Sequence, residues 1–421
     1  MHLTHLSALA IQALSFVAAT SPTERPVKVA DPFAQLDDLA KVAYQRSEAE
    51  TKSQKGGNTC NWKNVKIRRE WGALTKPERR KYIAAVKCLQ SKPARYPASL
   101  VPGAKSRFDD FVAVHINQTQ TIHYTGNFLG WHRYFTWLYE QALQLECGYT
   151  GTQPYWDWTK TAVTGLAASP IWDGSDTSMS GNGAFIPNQA DIVLGNIPGS
   201  DLPPVYLPAG TGGGCITSGP FVNMTVNMGP VSLALPGGAT VSNPDGPLAY
   251  NPRCLKRDLT DAINSAFSNA TATLALVTQP STVADFQMRM QGIPGTGNIG
   301  VHGGGHYTFG GDPGRDVFVS PGDPAFYLLH GNIDRTWWTW QMQDPATRVH
   351  SDAAVGGTVT FLDNSPSANA TAEDWVDYEY AAGPARKLDW KELPAGRTAI
   401  QFTIGSGMTG RCTIDGVHTG A

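Results

Sequence analysis

Histidine is the residue type whose spacing in this sequence points most directly to chemistry. Six of the ten histidines fall into two triplets, which are His115, His123 and His132, and His302, His306 and His330. A single histidine on an apolar helix is usually structural, but two triplets next to predicted helices indicate metal ligands, because neutral imidazole is the commonest metal ligand. Each triplet offers three imidazoles and no carboxylate at a matching position. That donor set suits copper better than di-iron or many dizinc centres, which include Glu or Asp.

Zinc is the main alternative metal. A zincin needs the motif H-E-x-x-H, but Gly303 follows His302, so the general base of that motif is missing. A three-histidine zinc hydrase remains an alternative for one triplet taken alone. Helical spacing would place His302 and His306 on one face, yet the three glycines between them disfavour a helix by about 3 kcal/mol. A metal shared by the two imidazoles could offset that cost.

Helices must carry these ligands to one place. The segments that predict helices are PERRKYIAAVKCLQS (77–91), SRFDDFVAVHI (106–116), WHRYFTWLYEQALQLE (131–146), RCLKRDLTDAINSAF (253–267) and DPAFYLLHGNIDRTWWTWQMQ (323–343). Thr75 and Pro77 predict the start of the first segment, Gly148 the end of the third, and Asp323 with Pro324 the start of the last. Residues 162–252, rich in Gly, Pro, Ser and Asn, predict long loops, and RTAIQFTI (397–404) predicts a strand. The expected fold is mainly α with a few short strands.

The start of the chain predicts export. An apolar run from Leu6 to Ala19 is too short to span a bilayer, and small residues favour cleavage after Ala19, so residues 1–19 are predicted to be a signal peptide. Residues 20–58 are polar without strong periodicity and are predicted to be an N-terminal arm or pro-segment. Six cysteines predict three disulfides of unknown pairing in a secreted protein. Glycosylation sequons occur at Asn117, Asn223, Asn269 and Asn369, of which we expect the first to be inaccessible.

Charge composition limits the classes of partner. The formal net charge is −2 and the charges are mixed, so a nucleic-acid-binding function is not indicated. No apolar segment of membrane-spanning length follows residue 19. We therefore expect a monomer that binds small molecules and neither nucleic acid nor membrane.

Three motifs carry a family resemblance. HINQTQTIHYTGNFLGWHRYFTWLYEQAL, HGGGHYTFGG and SPGDPAFYLLHGNIDRTWWTWQ resemble the two copper-binding regions of tyrosinases and catechol oxidases, above all the short secreted fungal polyphenol oxidases. The similarity runs from the segment CNWKNVKIRREW, which begins at Cys60, to the segment DYEY, which ends at Tyr380. It implies a catalytic domain over 59–385 with a type 3 dicopper centre in a four-helix-bundle core, and a C-terminal extension over 386–421 packed on that core.

The resemblance also implies a reaction. The first triplet would bind copper A and the second copper B, with O2 as co-substrate, and o-diphenols would be oxidised to o-quinones. Two ions suit this reaction because the reduction of O2 to water takes four electrons and each diphenol supplies two. Asp334, one turn after His330, is predicted to fix an imidazole, with a plain salt bridge on the helix surface as the alternative.

Three positions differ from the family pattern. Many members link the second copper A histidine to a cysteine, but here that position is Thr121, so we expect no thioether. Members that hydroxylate monophenols often carry Asn after the first copper B histidine and a Glu nearby. This chain has Gly303 and Gln291 there, and glutamine cannot act as a base. The hypothesis is therefore catechol oxidation with weak or absent monophenol hydroxylation.

Substrate access is predicted from two further residues. Val319 corresponds to a gate position over copper A and should leave an open pocket, while Tyr307 should line the entrance or pack in the loop. Three alternatives stay open at this point: a full tyrosinase, an o-aminophenol oxidase and, less favoured, a dioxygen carrier.

Overall fold

Local signals set the main helix ends. Thr75 and Glu78 form a capping box before one helix, in which Thr75 Oγ1 accepts from the Glu78 N–H and the Glu78 carboxylate accepts from the Thr75 N–H. Ser106 and Asp109 form a second capping box. Gly148 ends a third helix in the left-handed conformation, with φ of 66°. The helix ends predicted at Thr75 and Gly148 are therefore confirmed.

The computed structural model describes residues 31–53, 65–195, 202–372, 374–382, 387–389 and 412–415. Within these ranges the α-helices are α1 (Pro32–Ser53), α2 (Lys76–Ser91), α3 (Arg107–Ile122), α4 (Phe128–Cys147), α5 (Trp158–Thr164), α6 (Asp261–Phe267), α7 (Ala270–Thr278), α8 (Val283–Gln291), α9 (Gly300–Phe309), α10 (Ala325–Gln341) and α11 (Pro345–Arg348).

The strands are short and pair only in twos among the described residues. They are β1 (Val65–Arg68), β2 (Gly183–Phe185), β3 (Ile192–Leu194), β4 (Val205–Leu207), β5 (Gly213–Ile216), β6 (Thr225–Val226), β7 (Leu233–Ala234), β8 (Thr240–Val241), β9 (Arg253–Cys254), β10 (Trp375–Asp377), β11 (Lys387–Asp389) and β12 (Cys412–Asp415). β1 pairs with β12 in parallel, with Val65 opposite Cys412, whereas β10 pairs with β11 in antiparallel orientation. The prediction of a mainly α fold with few short strands is confirmed.

Helices α3, α4, α9 and α10 hold the centre of the protein together through aromatic contacts. Tyr139 on α4 stacks on Tyr327 on α10 with ring centroids 3.4 Å apart. Phe111 on α3 meets Tyr139 edge to face at 5.4 Å. Such rings contribute both buried apolar area and a preferred geometry, so they fix how the helices face one another.

Helix α1 was not expected from the sequence. Its Ala43 is buried against Trp338 of α10, and the Trp338 indole N–H donates to Ser47 Oγ at 3.0 Å. The predicted N-terminal arm thus contains a 22-residue helix that contacts the core. The boundaries at residues 19, 58 and 385 stay predictions, as does the signal peptide, which lies outside the described residues.

Other elements differ from expectation in length. α3 continues to Ile122, well beyond the predicted 116. The helix predicted over 253–267 is wrong in its first half, because Arg253 and Cys254 form a strand and Arg253 forms an ion pair with Asp312. The strand predicted over 397–404 lies outside the described residues. No described helix is both long and apolar enough to cross a bilayer.

Two disulfides are present among the described side chains. Cys88 pairs with Cys147, joining the ends of α2 and α4, and Cys215 pairs with Cys254 in the loop region. Of the six cysteines, Cys60 and the side chain of Cys412 lie outside the description. The third predicted disulfide therefore stays a prediction.

Candidate metal centre

The six predicted histidines form two compact groups. Within each triplet the ligand atoms lie within 4.8 Å of one another, and all six side chains are buried. In the first group His115 lies on α3, His123 caps the end of α3 and His132 lies on α4. In the second, α9 carries His302 and His306, and α10 carries His330. Two helices thus supply the ligands of each half of the centre: α3, with its C-cap residue, and α4 for the first, and α9 and α10 for the second.

The two triplets face each other. The His132 and His330 rings stack with centroids 4.7 Å apart, and the His123 and His302 rings stack at 6.0 Å. Each contact joins one member of the first triplet to one member of the second. The triplets therefore form one paired centre and not two separate sites.

Backbone carbonyls orient four of the imidazoles. The Nδ1 atoms of these histidines lie at hydrogen-bond distance from carbonyl oxygens: His115 with Phe318 at 2.9 Å, His123 with Thr119 at 2.9 Å, His132 with Phe128 at 2.8 Å and His306 with Gly314 at 3.0 Å. A carbonyl can only accept, so Nδ1 carries the proton and Nε2 is left with a lone pair. That tautomer is the one needed for metal binding through Nε2.

The remaining two imidazoles have buried nitrogen atoms without a hydrogen-bond partner. These are Nε2 of His302 and both ring nitrogens of His330. A buried polar atom without a partner is costly, so its presence in two neighbouring rings of the second triplet indicates that something else binds there. A metal ion fits, since it would satisfy one nitrogen of each ring.

Burial also sets the protonation state of the centre. Desolvation is the main cause that lowers the pKa of all six imidazoles, to about 4 for His123 and His306. The rings are therefore neutral at pH 7. His115 Nε2 and His132 Nε2 lie only 3.3 Å apart, which brings two lone pairs together. The donor set consists of neutral imidazoles without a carboxylate, and it fits a pair of copper ions.

The glycines between His302 and His306 allow close packing of α9. A Cβ atom on Gly304 would lie 2.4 Å from Ser268 Oγ and 2.7 Å from Phe267 Cβ, and one on Gly305 would lie 2.4 Å from a Leu329 methyl carbon. A side chain at either position would collide with its neighbours. Gly303 differs, because the nearest atom to its Cβ position is Ile299 Cβ at 3.2 Å. Gly304 and Gly305 thus allow α9 to pack closely against its neighbours, although glycine disfavours a helix.

Gln291 binds the loop that follows the first triplet's second ligand. Its Oε1 accepts from the Tyr124 N–H at 2.7 Å, its Nε2 donates to the Gln287 carbonyl at 3.1 Å, and its carbonyl accepts from the Tyr124 hydroxyl at 2.8 Å. Tyr124 has a φ of 50° and directly follows His123. Gln291 therefore stabilises an unusual backbone conformation beside a ligand.

Asp334 does not fix an imidazole, and that prediction is wrong. One of its carboxylate oxygens accepts from Arg68 at 2.9 Å, and the other accepts from Arg133. Arg68 also pairs with Glu140 on α4 at 3.0 Å. Because Arg133 follows His132 on α4, this buried network connects the two helices that carry His132 and His330. The contacts are salt bridges, but they are buried, whereas the alternative expected from the sequence was a salt bridge on the helix surface.

The two predicted access residues differ in burial. Val319 is fully buried, and a Cβ on Gly229 would lie 2.5 Å from its Cγ2 atom, so this side of Val319 is filled by protein. Tyr307 is half-buried and packs against a buried apolar cluster of Ile192, Leu207, Ala234 and Ile263. The open pocket at Val319 and the entrance role of Tyr307 stay predictions.

Several supporting residues were not identified from the sequence. Arg133 directly follows His132, and its pairing with Asp334, four residues after His330, has no signal in the sequence. Phe326 stacks on His330 with centroids 3.9 Å apart and lies one turn before it, a spacing that indicates contact on a helix. The carbonyl groups that orient the imidazoles leave no sequence signal.

Comparisons with known proteins agree with this geometry. The family model described as the common central domain of tyrosinase matches residues 105–343. Tyrosinase P of Aspergillus terreus is 42% identical over 338 residues, which cover 80% of this chain and 92% of that protein. N-acetyl-6-hydroxytryptophan oxidase of Emericella nidulans is 40% identical over 352 residues, covering 82% and 93%.

A solved structure is similar over almost the whole fold. A variant of a polyphenol oxidase from Thermothelomyces thermophila has 44% sequence identity and a TM-score of 0.78. The match covers 91% of this chain and 97% of that one. The arrangement of helices around the paired histidine centre is therefore shared with a polyphenol oxidase.

Proposed function

Because this chain belongs to the tyrosinase family, we propose that it is a polyphenol oxidase that uses O2 to convert o-diphenols to o-quinones, with weak or absent hydroxylation of monophenols. The tyrosinase family consists of copper oxidoreductases, and the two histidine triplets of this chain fit its dicopper centre. Bound copper supplies the binding of O2 and the electron transfer. Reduction of one O2 to two water molecules consumes two diphenols, each of which gives up two electrons and two protons.

The protein's own part in this reaction is to hold six neutral imidazoles in fixed positions. Carbonyl groups fix four of the rings, and burial keeps water from them. Neutral imidazoles need not lose a proton before they bind metal. A preorganised site avoids rearrangement during the reaction.

The preference for diphenols rests on one observation: neither Gln291 nor Gly303 can act as a base. Gln291 has both ends of its amide engaged by Tyr124 and Gln287, and Gly303 has no side chain. A monophenol has a pKa near that of tyrosine, about 10, and must lose its proton to bind as a phenolate. A diphenol can be oxidised without a hydroxylation step, so it depends less on such a base.

The test is oxygen uptake by purified protein containing two coppers per chain. We expect rapid turnover of 4-methylcatechol and at least about 100-fold slower turnover of p-cresol, the matched monophenol, as expected for loss of a general base. Rapid turnover of L-tyrosine without a lag would contradict the proposal. The double variant G303N/Q291E should raise the ratio of p-cresol to 4-methylcatechol turnover.

A second candidate is oxidation of a hydroxylated indole or an o-aminophenol. The relative from Emericella nidulans is named for N-acetyl-6-hydroxytryptophan, and its match covers most of both chains. Comparing 6-hydroxyindole and o-aminophenol with 4-methylcatechol at equal concentration decides between the candidates. Reversible oxygenation without turnover of any of them would favour the dioxygen carrier.

We further propose that the protein is secreted and monomeric. Two disulfides support an oxidising compartment, since such bonds are rare in the cytosol. Asn117 on α3 is exposed, so the expectation that this sequon is inaccessible is wrong, and its amide donates to Glu379 at 2.9 Å. Recovery of the protein in culture medium, with a mature N-terminus after Ala19, tests the export. Light scattering tests the monomer.

A further inference from the structure

One loop supplies an orienting carbonyl group to each half of the paired centre. This loop, which we call the shared loop, covers residues 310–319 and begins where α9 ends. Its Gly314 carbonyl oxygen lies 3.0 Å from His306 Nδ1, and its Phe318 carbonyl oxygen lies 2.9 Å from His115 Nδ1. His306 belongs to the second triplet and His115 to the first. The position of the shared loop therefore affects one ligand of each copper ion.

The two imidazoles that the shared loop binds also have a common neighbour. The His115 and His306 rings both contact the Phe326 ring, with centroids 5.4 and 5.8 Å away. All three side chains are buried. The shared loop and Phe326 thus hold these two ligands as a pair that spans both triplets.

Asp316 fixes the middle of the shared loop. It lies two residues after Gly314 and two before Phe318, and its side chain is fully buried. One carboxylate oxygen accepts from the Phe318 N–H at 3.0 Å. The other accepts from the N–H groups of Val231 and Ser232, at 2.7 and 3.1 Å. The carboxylate therefore ties the loop to a neighbouring segment midway between the two orienting carbonyl groups.

The charge of Asp316 suits this role better than a neutral amide would. A buried carboxylate is costly unless hydrogen bonds satisfy it, and three backbone N–H groups do so here. Hydrogen bonds to an ionised acceptor are shorter and roughly twice as strong as neutral ones. Asparagine has only one acceptor oxygen, and its NH2 group would face an N–H donor.

A second anchor holds the part of the shared loop before Gly314. Asp312, two residues earlier, accepts two hydrogen bonds from Arg253, at 2.6 and 2.8 Å. Its backbone carbonyl also accepts from the Lys256 N–H at 2.9 Å. This anchor adjoins the carbonyl that orients His306, whereas Asp316 adjoins both carbonyl groups.

We propose that Asp316 is a positioning residue that sets the orientation of one ligand in each half of the centre, so that the shared loop fixes the two copper ions relative to each other. Asp316 acts through the two carbonyl groups. Two ions that act on one substrate molecule need a fixed separation. The inference deepens the proposed function, because it concerns the same centre, but it does not depend on which phenol is oxidised.

The test observes each copper site alone. H302Q removes a ligand of copper B and H123Q a ligand of copper A, so each leaves one complete triplet. The electron paramagnetic resonance spectrum of bound Cu(II) then reports the geometry of the remaining ligands, and mixing with a chelator gives the release rate. D316N should change the spectrum in both backgrounds and speed release from each site about tenfold, as expected for disturbed outer hydrogen bonds.

D312N tests the same loop with Asp316 intact. It weakens the anchor next to Gly314, so it should change the spectrum and the release rate of copper B in the H123Q background. Copper A in the H302Q background should be unaffected, because Asp316 still holds Phe318. If D316N does not fold, D312N decides, and an unchanged copper B spectrum would overturn the proposal.

Asp258 provides the matched control. It is also buried, and it accepts from the N–H groups of Gly210 and Gly212, both at 3.0 Å, which are not part of the shared loop. D258N removes the same charge and should leave both Cu(II) spectra unchanged, even where it lowers stability as much as D316N does. Equal spectral changes in D258N and D316N would mean a structural role only and would refute the proposal.

The spectra also separate this inference from the proposed function. If the unaltered protein oxidises no diphenol, the proposed function fails, while the Cu(II) spectra still decide the role of Asp316. A change at only one copper site in D316N would show that Asp316 does not serve both halves. Unchanged spectra and release rates at both sites would overturn the proposal even if diphenols are oxidised rapidly.

Discussion

The copper A half and the copper B half of the centre are held in different ways. In the copper A half all three imidazoles, of His115, His123 and His132, have Nδ1 bound to a backbone carbonyl. In the copper B half only His306 has such a partner, and both nitrogens of His330 lack one. Each half supplies three imidazoles, but backbone hydrogen bonds orient all three rings in the copper A half and only one in the copper B half.

Packing takes the place of hydrogen bonds in the copper B half. Phe326 stacks on His330, and α9 approaches its neighbours at Gly304 and Gly305 so closely that no side chain fits. The copper A imidazoles are therefore oriented mainly by hydrogen bonds, and the copper B imidazoles mainly by packing against their neighbours. Substitutions that remove a hydrogen bond and substitutions that add volume should affect the two halves differently.

The largest effect is expected at Asp334, which joins the halves. D334N removes the negative charge that pairs with Arg68 and Arg133, so two buried guanidinium groups lose this charged partner. Loss of one partner from a buried ionic network costs about 3–5 kcal/mol of the free energy of unfolding. Because α4 and α10 both depend on this network, urea denaturation should show the loss and both coppers should be depleted.

Asp285 is the matched control for Asp334. It pairs with Arg289 at a partly exposed i,i+4 position, where such pairs contribute about 0.3–0.5 kcal/mol. D285N should therefore leave stability and copper content almost unchanged. If D334N lost only copper B, the network would belong to one half, and the idea that it joins the two would be wrong.

Gly304 tests the packing of copper B. G304A places a methyl group 2.4 Å from Ser268 Oγ and should destabilise the protein by about 1–3 kcal/mol through overpacking. G303A adds the same methyl group where Ile299, 3.2 Å away, is the nearest contact, and alanine favours a helix by about 1 kcal/mol over glycine. Urea denaturation and copper analysis should show loss in G304A, selectively from copper B, and little loss in G303A. Equal stability of the two variants would remove the packing argument.

Gln291 tests the hydrogen bonds around copper A. Q291L keeps the size of the side chain but removes the side-chain acceptor of the Tyr124 N–H, at a cost of about 1–3 kcal/mol. The effect should reach His123 and appear as faster release of copper A to a chelator. Q291E restores an acceptor for the Tyr124 N–H and should retain more copper than Q291L. Unchanged release from Q291L would show that the Thr119 carbonyl alone holds His123.

The sequence predicted the six ligands because side-chain type and spacing carry that information directly. Capping residues such as Thr75 and Gly148 predicted helix ends for the same reason, since their own atoms satisfy the terminal groups. Long-range partners could not be predicted. Asp334 pairs with Arg68, 266 positions away, and nothing local distinguishes that contact from a bond to an imidazole.

Helix propensity failed where tertiary contacts decide the conformation. α9 forms despite three glycines because its neighbours require a close approach. The segment from Arg253 lacks a helix in its first half because Arg253 pairs with Asp312 and Cys254 forms a disulfide with Cys215. α1 was missed because its contacts with Trp338 involve only a few of its residues.

The last prediction concerns the rate of copper loss from each half. H302Q disables the copper B site and H123Q the copper A site, and the two rings stack on each other, so the variants are matched. Loss of outer hydrogen-bond partners typically weakens metal binding 10- to 100-fold, so copper in H302Q should leave about tenfold more slowly than copper in H123Q. Stopped-flow mixing with a chelator measures both rates. Equal rates would mean that stacking of Phe326 on His330 orients copper B as firmly as carbonyl groups orient copper A.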